Sequence, residues 1–473
     1  MKNLFILVLL LLTMSIKAQC WQKVSVGNDY TLAIKTDGTL WSWGRNEAGT
    51  LGDGTTIDKY TITQIGTDNN WQSISAGSNT SYGIKTNGTL WAWGNGGLGE
   101  LGNGGLVFGD LGFNDANFSY TPIQIGTESN WQTINAGTGH VIALKTNGTL
   151  WAWGYNAYGQ VGDGTGNGGI LNIKKNPTQI GIDNDWQYID CAFRSSLAVK
   201  SNGTLWAWGG NDYGQLGVGD NVDRNVPTQV GTSSDWQSLS SNGIATVAIK
   251  NNGTLWSWGS NQYFSLGTGQ FSTNTNIPIQ VGNATNWQSV SSGGQIKGLK
   301  TDGSLWGWGT GFYGFGDGSN ISKYIPTQIG TETDWSFISG QGGAHTAIIK
   351  TNNTLWNWGW NFNGQLANGT NTGNSTSNTQ TFPIQVSCTF LSIEEFSNNS
   401  FIIYPNPSDG IIYLKNNLNY EIQNIDIADL TGKIVFNSNN NLSEINIKNV
   451  ETGIYILSII SKNKIYKYKI IKK

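Results

Sequence analysis

"KTNGTLWAWG" fills residues 85–94 and returns unchanged at 145–154. Near-copies begin at Lys35, Lys200, Lys250, Lys300 and Lys350, so the signature occurs seven times, at spacings of 50, 60, 55, 50, 50 and 50 residues. A motif with such a period encodes a supersecondary unit that buries its apolar face only against its neighbours. In "TLWAW" the two-residue period of a strand puts Trp91 and Trp93 on one face and Leu90 and Ala92 on the other. Between the two tryptophans stands Ser42, Ala92, Ala152, Ala207, Ser257, Gly307 or Asn357, mostly small, as expected where one sheet packs closely on the next. The Asn-Gly or Asp-Gly just before suits the positive φ angles of a tight hairpin turn.

Some fourteen residues ahead of each copy another tryptophan opens a strand: Trp21, Trp71, Trp131, Trp186, Trp236, Trp287 and Trp335. Three per repeat accounts for 21 of the 22 tryptophans and leaves Trp360 outside the pattern. With an apolar "SYGIK" segment and a "PTQIG"-like segment, each unit reads as four short strands. The expected fold class is therefore all-β, a seven-bladed β-propeller over residues 19–388. The tryptophans read as blade-to-blade packing, each indole burying on the order of 200 Å²; sugar-stacking platforms are the competing reading.

The stretch "AGTGHVIALKTNGTLWAWGYNAYGQVGDG" (136–164) with "PTQIG" (177–181) resembles the repeat of the regulator of chromosome condensation family, over residues 20–387. Its "WGxNxxGQLGxG" core returns at 208–219 and, with Ala367 for glycine, at 358–369. The resemblance implies a seven-bladed propeller. The family's histidine before the apolar strand survives as His140 and His345 and is replaced by Tyr30, Thr80, Ser195, Ala245 and Gln295, so both histidines are expected to be scaffold. The eukaryotic founder is a nucleotide-exchange factor that binds chromatin, activities that do not suit an exported acidic chain. Secreted bacterial propellers of similar build inhibit β-lactamases through loops on one face, but no residue here matches that target.

Both ends carry processing signals. Residues 1–18 read as a signal peptide, with Lys2 ahead of an apolar run from Leu4 to Met14 and cleavage expected after Ala18. A lipoprotein reading through Cys20 is disfavoured by the bulky Gln19 before it. After a linker at 389–399, residues 400–473 hold "YPNPSDG" (404–410), "LTGKIV" (430–435), "GIYIL" (453–457) and a closing "YKIIKK". These resemble the C-terminal sorting domain of the type IX, or Por, secretion system, which implies a small β-sandwich read by the outer-membrane translocon. The residues carrying that match are Tyr404, Pro405, Asn406, Pro407, Gly432, Lys433, Gly453 and Tyr455. The six lysines of 461–473 also suit a solvated strand edge. No other segment is long and apolar enough for a membrane helix, so the mature chain is expected to have no membrane span, and its place is secreted or on the cell surface.

The chain carries a net charge of −3, and its last 76 residues hold nine lysines against six acids, so the negative charge belongs to the propeller. An acidic body without a basic stripe argues against nucleic acid as a partner. No nucleophile elbow, HExxH pair or zinc-spaced cysteine set occurs, so no enzyme activity, cofactor or metal is expected. The aspartates of the "GDG" loops, Asp53, Asp163 and Asp317, read as turn residues rather than calcium ligands, and the recurring "NGT" as hairpin turns rather than glycan acceptors. The expected function is binding of an extracellular protein or glycan; the alternative is a polysaccharide hydrolase or lyase with loop carboxylates.

Variation between repeats points to where binding resides. Insertions at 105–120 and 165–176 map to loops, and Phe108, Asp110, Phe113, Asn114, Asp115 and Phe118 of the first, with Trp360, are the candidate ligand-binding residues. Finally, the first repeat lacks a strand before Trp21, so "PIQV" (383–386) is expected to pair there and close the ring. Superposing repeats then places Cys388 where Thr127 sits and Cys20 where Asn130 sits, at the ends of a four-residue turn. Cα atoms so placed fall within about 7 Å, the range of a disulfide. Cys191 takes a small core position and is expected to be a buried thiol.

Overall fold

In the first repeat, β1 (Trp21–Val26), β2 (Tyr30–Lys35), β3 (Leu40–Gly44) and β4 (Lys59–Gln64) form one antiparallel sheet in chain order. The computed structural model describes residues 20–105, 107, 117–166, 172–271, 274–339, 343–371, 379–387, 401–416, 420–429, 433–439, 442–461 and 464–473. Among these, seven four-stranded sheets repeat that order, one per signature. The signal peptide, the linker, Cys388, Gly432 and the insertion residues Phe108, Asp110, Phe113, Asn114 and Asp115 lie outside the described residues.

The blades stack as the alternation in "TLWAW" implies. Trp91 and Trp93 both meet Trp71 of their own blade edge-on, with ring centroids 6.1 Å apart in each case. On the opposite face Leu90 and Ala92 share one buried cluster with Trp131 and Trp153 of the next blade. The second tryptophan of each signature is fully buried, and in every blade but the seventh its indole N–H reaches the preceding blade: Trp153 Nε1 donates to the Glu100 carbonyl (2.6 Å) and Trp208 Nε1 to that of Gln160 (2.9 Å). The glycine of the "GQxG" core explains itself here. A Cβ on Gly162, at φ 86°, would stand 2.6 Å from Trp208 Nε1, so glycine lets the indole lie directly on this turn; blade seven holds Ala367 here, at φ 55°, against the cluster of Trp43.

A polar seam runs around the axis. The residue four after each opening tryptophan bonds the next blade: Ser25 Oγ accepts from Ala76 N (2.9 Å), Ser75 Oγ from Ala136 N (3.0 Å), Asn135 Oδ1 from Cys191 N (3.1 Å), Asp190 Oδ2 from Ser241 N (2.8 Å) and Ser240 Oγ from Ser292 N (2.9 Å). Ser291 donates to the Ser339 carbonyl, and Ser339 Oγ accepts from Val26 N (2.8 Å), which carries the seam from the last blade back to the first.

Closure differs from the expectation at one point. The segment 383–386 does not pair beside Trp21. It belongs to the strand Gln380–Val386, the outer strand of the seventh blade, in register Leu355↔Val386 and Trp356↔Gln385. Each repeat is thus a complete blade, and the ring closes by packing rather than by a shared sheet: Trp21 and Trp43 share a buried cluster with Ala347, Ile349 and Leu355. Trp43 Nε1 donates to the Gln365 carbonyl (2.9 Å), and Trp21 N donates to that of Asn353 (3.0 Å), the bond that Trp131 N makes to Gly88 between interior blades (3.1 Å).

Residues 389–473 form a separate compact unit. One sheet holds Phe401–Tyr404, Ile411–Asn416 and Glu444–Asn446; the other holds Ile434–Ser438, Asn424–Asp429, Gly453–Ser461 and Lys464–Lys472. Alternating residues of both sheets, among them Ile412, Ile425, Ile427, Leu457 and Ile459, share one core, as a small β-sandwich requires.

Candidate functional site

A four-stranded meander sends its first and third turns to one face of the ring and its hairpin and interblade turns to the other. On the hairpin face the repeated residues satisfy one another. In blade three Asn147 Oδ1 accepts from Thr149 N and Oγ1 (3.2 and 2.7 Å), and Thr149 Oγ1 accepts from Trp151 Nε1 (2.9 Å). The "NGT" triplet therefore has a structural occupation. The signature lysine, to which the sequence reading gave no role, lies over two indoles: Lys145 Nζ is 3.5 Å from the Trp151 ring centre and 4.7 Å from that of Trp131, and pairs with Glu128 at 2.7 Å.

In the "WGxNxxGQLGxG" loops of the other face the repeated asparagine is likewise engaged. Asn156 Oδ1 accepts from Val161 N (2.9 Å) while its amide donates to Asp163 and Thr165. The "GDG" aspartates carry cations: Asp53 pairs with Lys59 (2.9 Å), Asp163 with Lys174 (2.5 Å) and Asp317 with Lys323 (2.6 Å). No cluster of three or more metal-ligating side chains exists among the described residues. His140 and His345 are buried, with Nε2 at 2.8 Å from Ser196 Oγ and Thr31 Oγ1 of the adjoining blades, and burial lowers both pKa values to about 3.

What the repeat leaves unused gathers at the mouth of the ring on this face. A cavity of about 480 Å³ opens there, framed by the first turns of the blades. Phe193, Tyr263, Phe312 and Tyr313, from blades four, five and six, line it. Phe312 is 69% exposed, Phe193 47% and Tyr263 44%. Sequence reading missed all four. The available signal was a tyrosine five after the second signature tryptophan in blades three to six (Tyr158, Tyr213, Tyr263, Tyr313), where the other blades have Ala48, Leu98 and Asn363.

Of the proposed ligand residues, Trp360 is half-buried and stands edge-on to Tyr313, centroids 4.9 Å apart, so it buttresses one wall of this mouth. Phe118 lies elsewhere on the face. It stacks on Tyr120 (6.3 Å) and borders a separate cleft with Asp29, Arg45 and Glu47, where Arg45 pairs with both carboxylates. The structure therefore does not bring Phe118 and Trp360 to one site. Two buried titratable groups also escaped notice. Burial raises the Glu100 carboxyl to about 8, and burial, opposed by Asp317 and reinforced by Lys323, lowers Lys297 to about 7.

In the C-terminal unit the motif residues serve the last strand. Asn406 accepts from Ile471 N (2.8 Å) and donates to the Lys469 carbonyl (2.6 Å), between Pro405 and Pro407. Tyr404 is half exposed beside Tyr413, Lys433 N donates to Asp429 Oδ1 (3.0 Å), Gly453 opens a strand, and buried Tyr455 donates its hydroxyl to the Glu451 carbonyl (2.9 Å).

Residues 37–84, 147–199, 202–249 and 252–296 match the Regulator of chromosome condensation (RCC1) repeat, a second form of that repeat matches 21–50, 71–100, 131–160 and 188–215, and residues 402–473 match the secretion system C-terminal sorting domain. The chain belongs to the RCC1-repeat propellers and ends in a secretion sorting domain. It is 30% identical over 207 residues to the ultraviolet-B receptor UVR8 of Arabidopsis thaliana, covering 43% of this chain and 44% of that protein. It is 26% identical over 207 residues to the E3 ubiquitin-protein ligase HERC2 of Homo sapiens, covering 42% of this chain and 4% of that protein. The chain thus spans less than half the length of these relatives. Among solved structures, human WBSCR16 superposes with a TM-score of 0.64 at 20% identity over 74% of this chain and 94% of that one. Prp20p of Saccharomyces cerevisiae gives 0.56 at 21% identity over 68% and 80%. These likenesses establish the propeller fold. The sorting domain indicates export by type IX secretion to the cell surface or the surroundings.

Proposed function

We propose that this RCC1-repeat propeller is a secreted or surface-displayed binding protein that holds an extracellular protein or glycan on its loop face and catalyses nothing. One observation carries the reading: the repeated asparagines, threonines and lysines are engaged within the scaffold, while the mouth of the ring presents the exposed rings of Phe312 and Tyr263. One relative is a receptor by name, and the "GDG" carboxylates are held by lysines rather than poised as an acid–base pair. The C-terminal unit serves export through the type IX translocon, after residues 1–18 have directed the chain across the inner membrane. Deleting residues 398–473 is expected to leave an intact propeller in the periplasm, and normal surface delivery of that truncated chain would overturn the export reading. For the binding reading, immobilised protein should retain a partner from the organism's surroundings and lose it when the loops of blades four to six are exchanged for those of blade one.

The same proposal includes a Cys20–Cys388 bridge across the closing turn. The Cys20 carbonyl accepts from Thr36 N (2.9 Å) as the Asn130 carbonyl does from Thr146 N (2.8 Å), so Cys20 occupies the fourth position of an interblade turn. Cys191, by contrast, is buried with its thiol donating to the Asn135 carbonyl (3.1 Å). A loop of more than 300 residues closed this way gains on the order of 4 kcal/mol or more in the chain-entropy treatment. Non-reducing peptide mapping that recovers Cys20 and Cys388 as separate thiols would end this part of the proposal.

A further inference from the structure

We infer that the cavity at the mouth of the ring is a site for a neutral carbohydrate, an inference that rests on the binding reading above and gives its ligand a chemistry. The cavity combines aromatic rings with uncharged polar groups. Phe193, Tyr263, Phe312 and Tyr313 form the side from blades four to six. Asn28, Ser78 and Thr138 of blades one to three stand across from them, and Ser241, Asn242, Ser292 and Thr310 of blades five and six set uncharged polar groups beside the rings. No charged side chain lines the cavity among the described residues. Its volume of about 480 Å³ lies within the range of roughly 300–1,000 Å³ usual for small-ligand sites.

A ligand that fits must offer an apolar face to the rings and a rim of uncharged donors and acceptors to the amides and hydroxyls. A pyranose has that division, its axial C–H groups on one face and its hydroxyls at the edge. A nucleotide or an acidic sugar would bring its charge to a lining without a cation, and the nearby Arg194, 4.7 Å from the Phe193 ring centre, is already paired with Asp212 (3.6 Å). A peptide segment would bring backbone groups that need strand-like pairing, and the floor offers only turns: Gly77, Gly137 and Gly293. The rings are also held in place. Trp360 packs edge-on against Tyr313, and a Cβ on Gly294 would come within 2.8 Å of the Tyr313 ring, so glycine there lets the ring lie over the turn.

The test is calorimetric titration of the full chain with cellohexaose, laminarihexaose, xylohexaose and mannohexaose, and with hexagalacturonate as the charged control. At least one neutral hexasaccharide should bind and hexagalacturonate should not. Phe312→Ala and Tyr263→Ala should each raise Kd about tenfold or more without moving the melting temperature. Ile182→Ala, at an interblade turn on the other face and 93% exposed, should leave Kd unchanged. Failure of all four neutral sugars, binding insensitive to both aromatic substitutions, or preferential binding of hexagalacturonate would each overturn the proposal. Retention of a protein partner that Phe312→Ala abolishes, with every sugar silent, would overturn the carbohydrate assignment and leave the binding reading standing; no partner of either kind would remove both.

Discussion

The two faces of the propeller are built from the same repeats and obey different rules. On the hairpin face blade three can stand for almost any other: Asn147, Thr149 and Trp151 have their counterparts in Asn202, Thr204 and Trp206, bonded alike. On the loop face Tyr263 and Tyr313 give way to Ala48 and Leu98 at the same repeat position. A residue recurs where every blade must meet its neighbour in the same way, and it is free to change where only a ligand would use it. Recurrence therefore marks scaffold here, and its interruption marks the surface open to function.

The largest expected effect sets one region against the other. Trp153 is fully buried between blades and bonded to the Glu100 carbonyl. Trp153→Ala should cost about 3–5 kcal/mol, seen as a fall in the denaturant midpoint of the propeller transition. Phe312→Ala, at a ring 69% exposed, should change that midpoint by no more than about 0.5 kcal/mol. Comparable losses for the two would mean that the mouth is scaffold after all.

Glu100 offers a sharper version inside the scaffold. It stands where other blades carry Gln160, Gln215 and Gln365, and like them accepts from the backbone N–H two residues before, Leu98 N at 2.7 Å. Burial raises its pKa from 4.5 to about 8, so the folded state binds this proton more tightly than the unfolded chain. Its contribution is present below the unfolded value and is lost as pH rises towards 8. His140 and His345 act oppositely, because their pKa of about 3 makes the fold lose stability as pH falls below 6.5. Glu100→Gln should flatten the alkaline decline of the melting temperature and leave the acid limb alone. An unchanged alkaline limb would show that Glu100 is not protonated in the fold.

Much of this was legible in the sequence because tryptophan and glycine have few ways to recur. Three tryptophans per repeat, a small residue between two of them and an Asn-Gly ahead of them are enough to specify a blade. The closing strand was misplaced because strand pairing depends on which element is spatially adjacent, and "PIQV" has the same pattern whichever blade it joins. The seam at Ser25, Ser75 and Ser339 escaped because a serine in a strand carries no signal of its partner 50 or more residues away. The mouth escaped for the converse reason: Phe193, Phe312 and Tyr263 come from different loops, and only the ring brings them to one cavity.

Closure supplies a smaller effect. Ser75→Ala and Ser339→Ala each leave one backbone N–H without its acceptor, that of Ala136 between interior blades and that of Val26 at the junction of last and first. Each should cost about 1–3 kcal/mol, the penalty of a buried donor left unpaired. Only Ser339→Ala should speed amide exchange at Val26 and along β1, read by hydrogen–deuterium exchange. Equal exchange at β1 in both variants would show that the seam is not what holds the junction.

The smallest effect concerns the lysines of the hairpin face, where the molecule already contains its own variant. Lys145 has Glu128 within 2.7 Å, Lys85 has Asp68 at 2.7 Å and Lys200 has Asp183 at 2.7 Å, each acid three residues before the opening tryptophan of the blade. Blade six has Ala284 there and Asn286 before Trp287, yet Lys300 still lies 3.7 Å from the Trp306 ring centre. Burial lowers the pKa of Lys300, with Asp302 opposing. The two indoles thus hold the lysine without the acid, and the acid adds only a half-exposed ion pair. Such pairs are worth roughly 0–1 kcal/mol and weaken with salt. Glu128→Ala should therefore cost less than about 1 kcal/mol, with the difference from wild type vanishing at molar salt. Ala284→Asp should return a similar amount to blade six and raise the pKa of Lys300, measurable by NMR titration of its Nζ protons. A salt-independent loss on Glu128→Ala would mean that the carboxylate positions the interblade turn itself, and that the hairpin face is less uniform than its sequence.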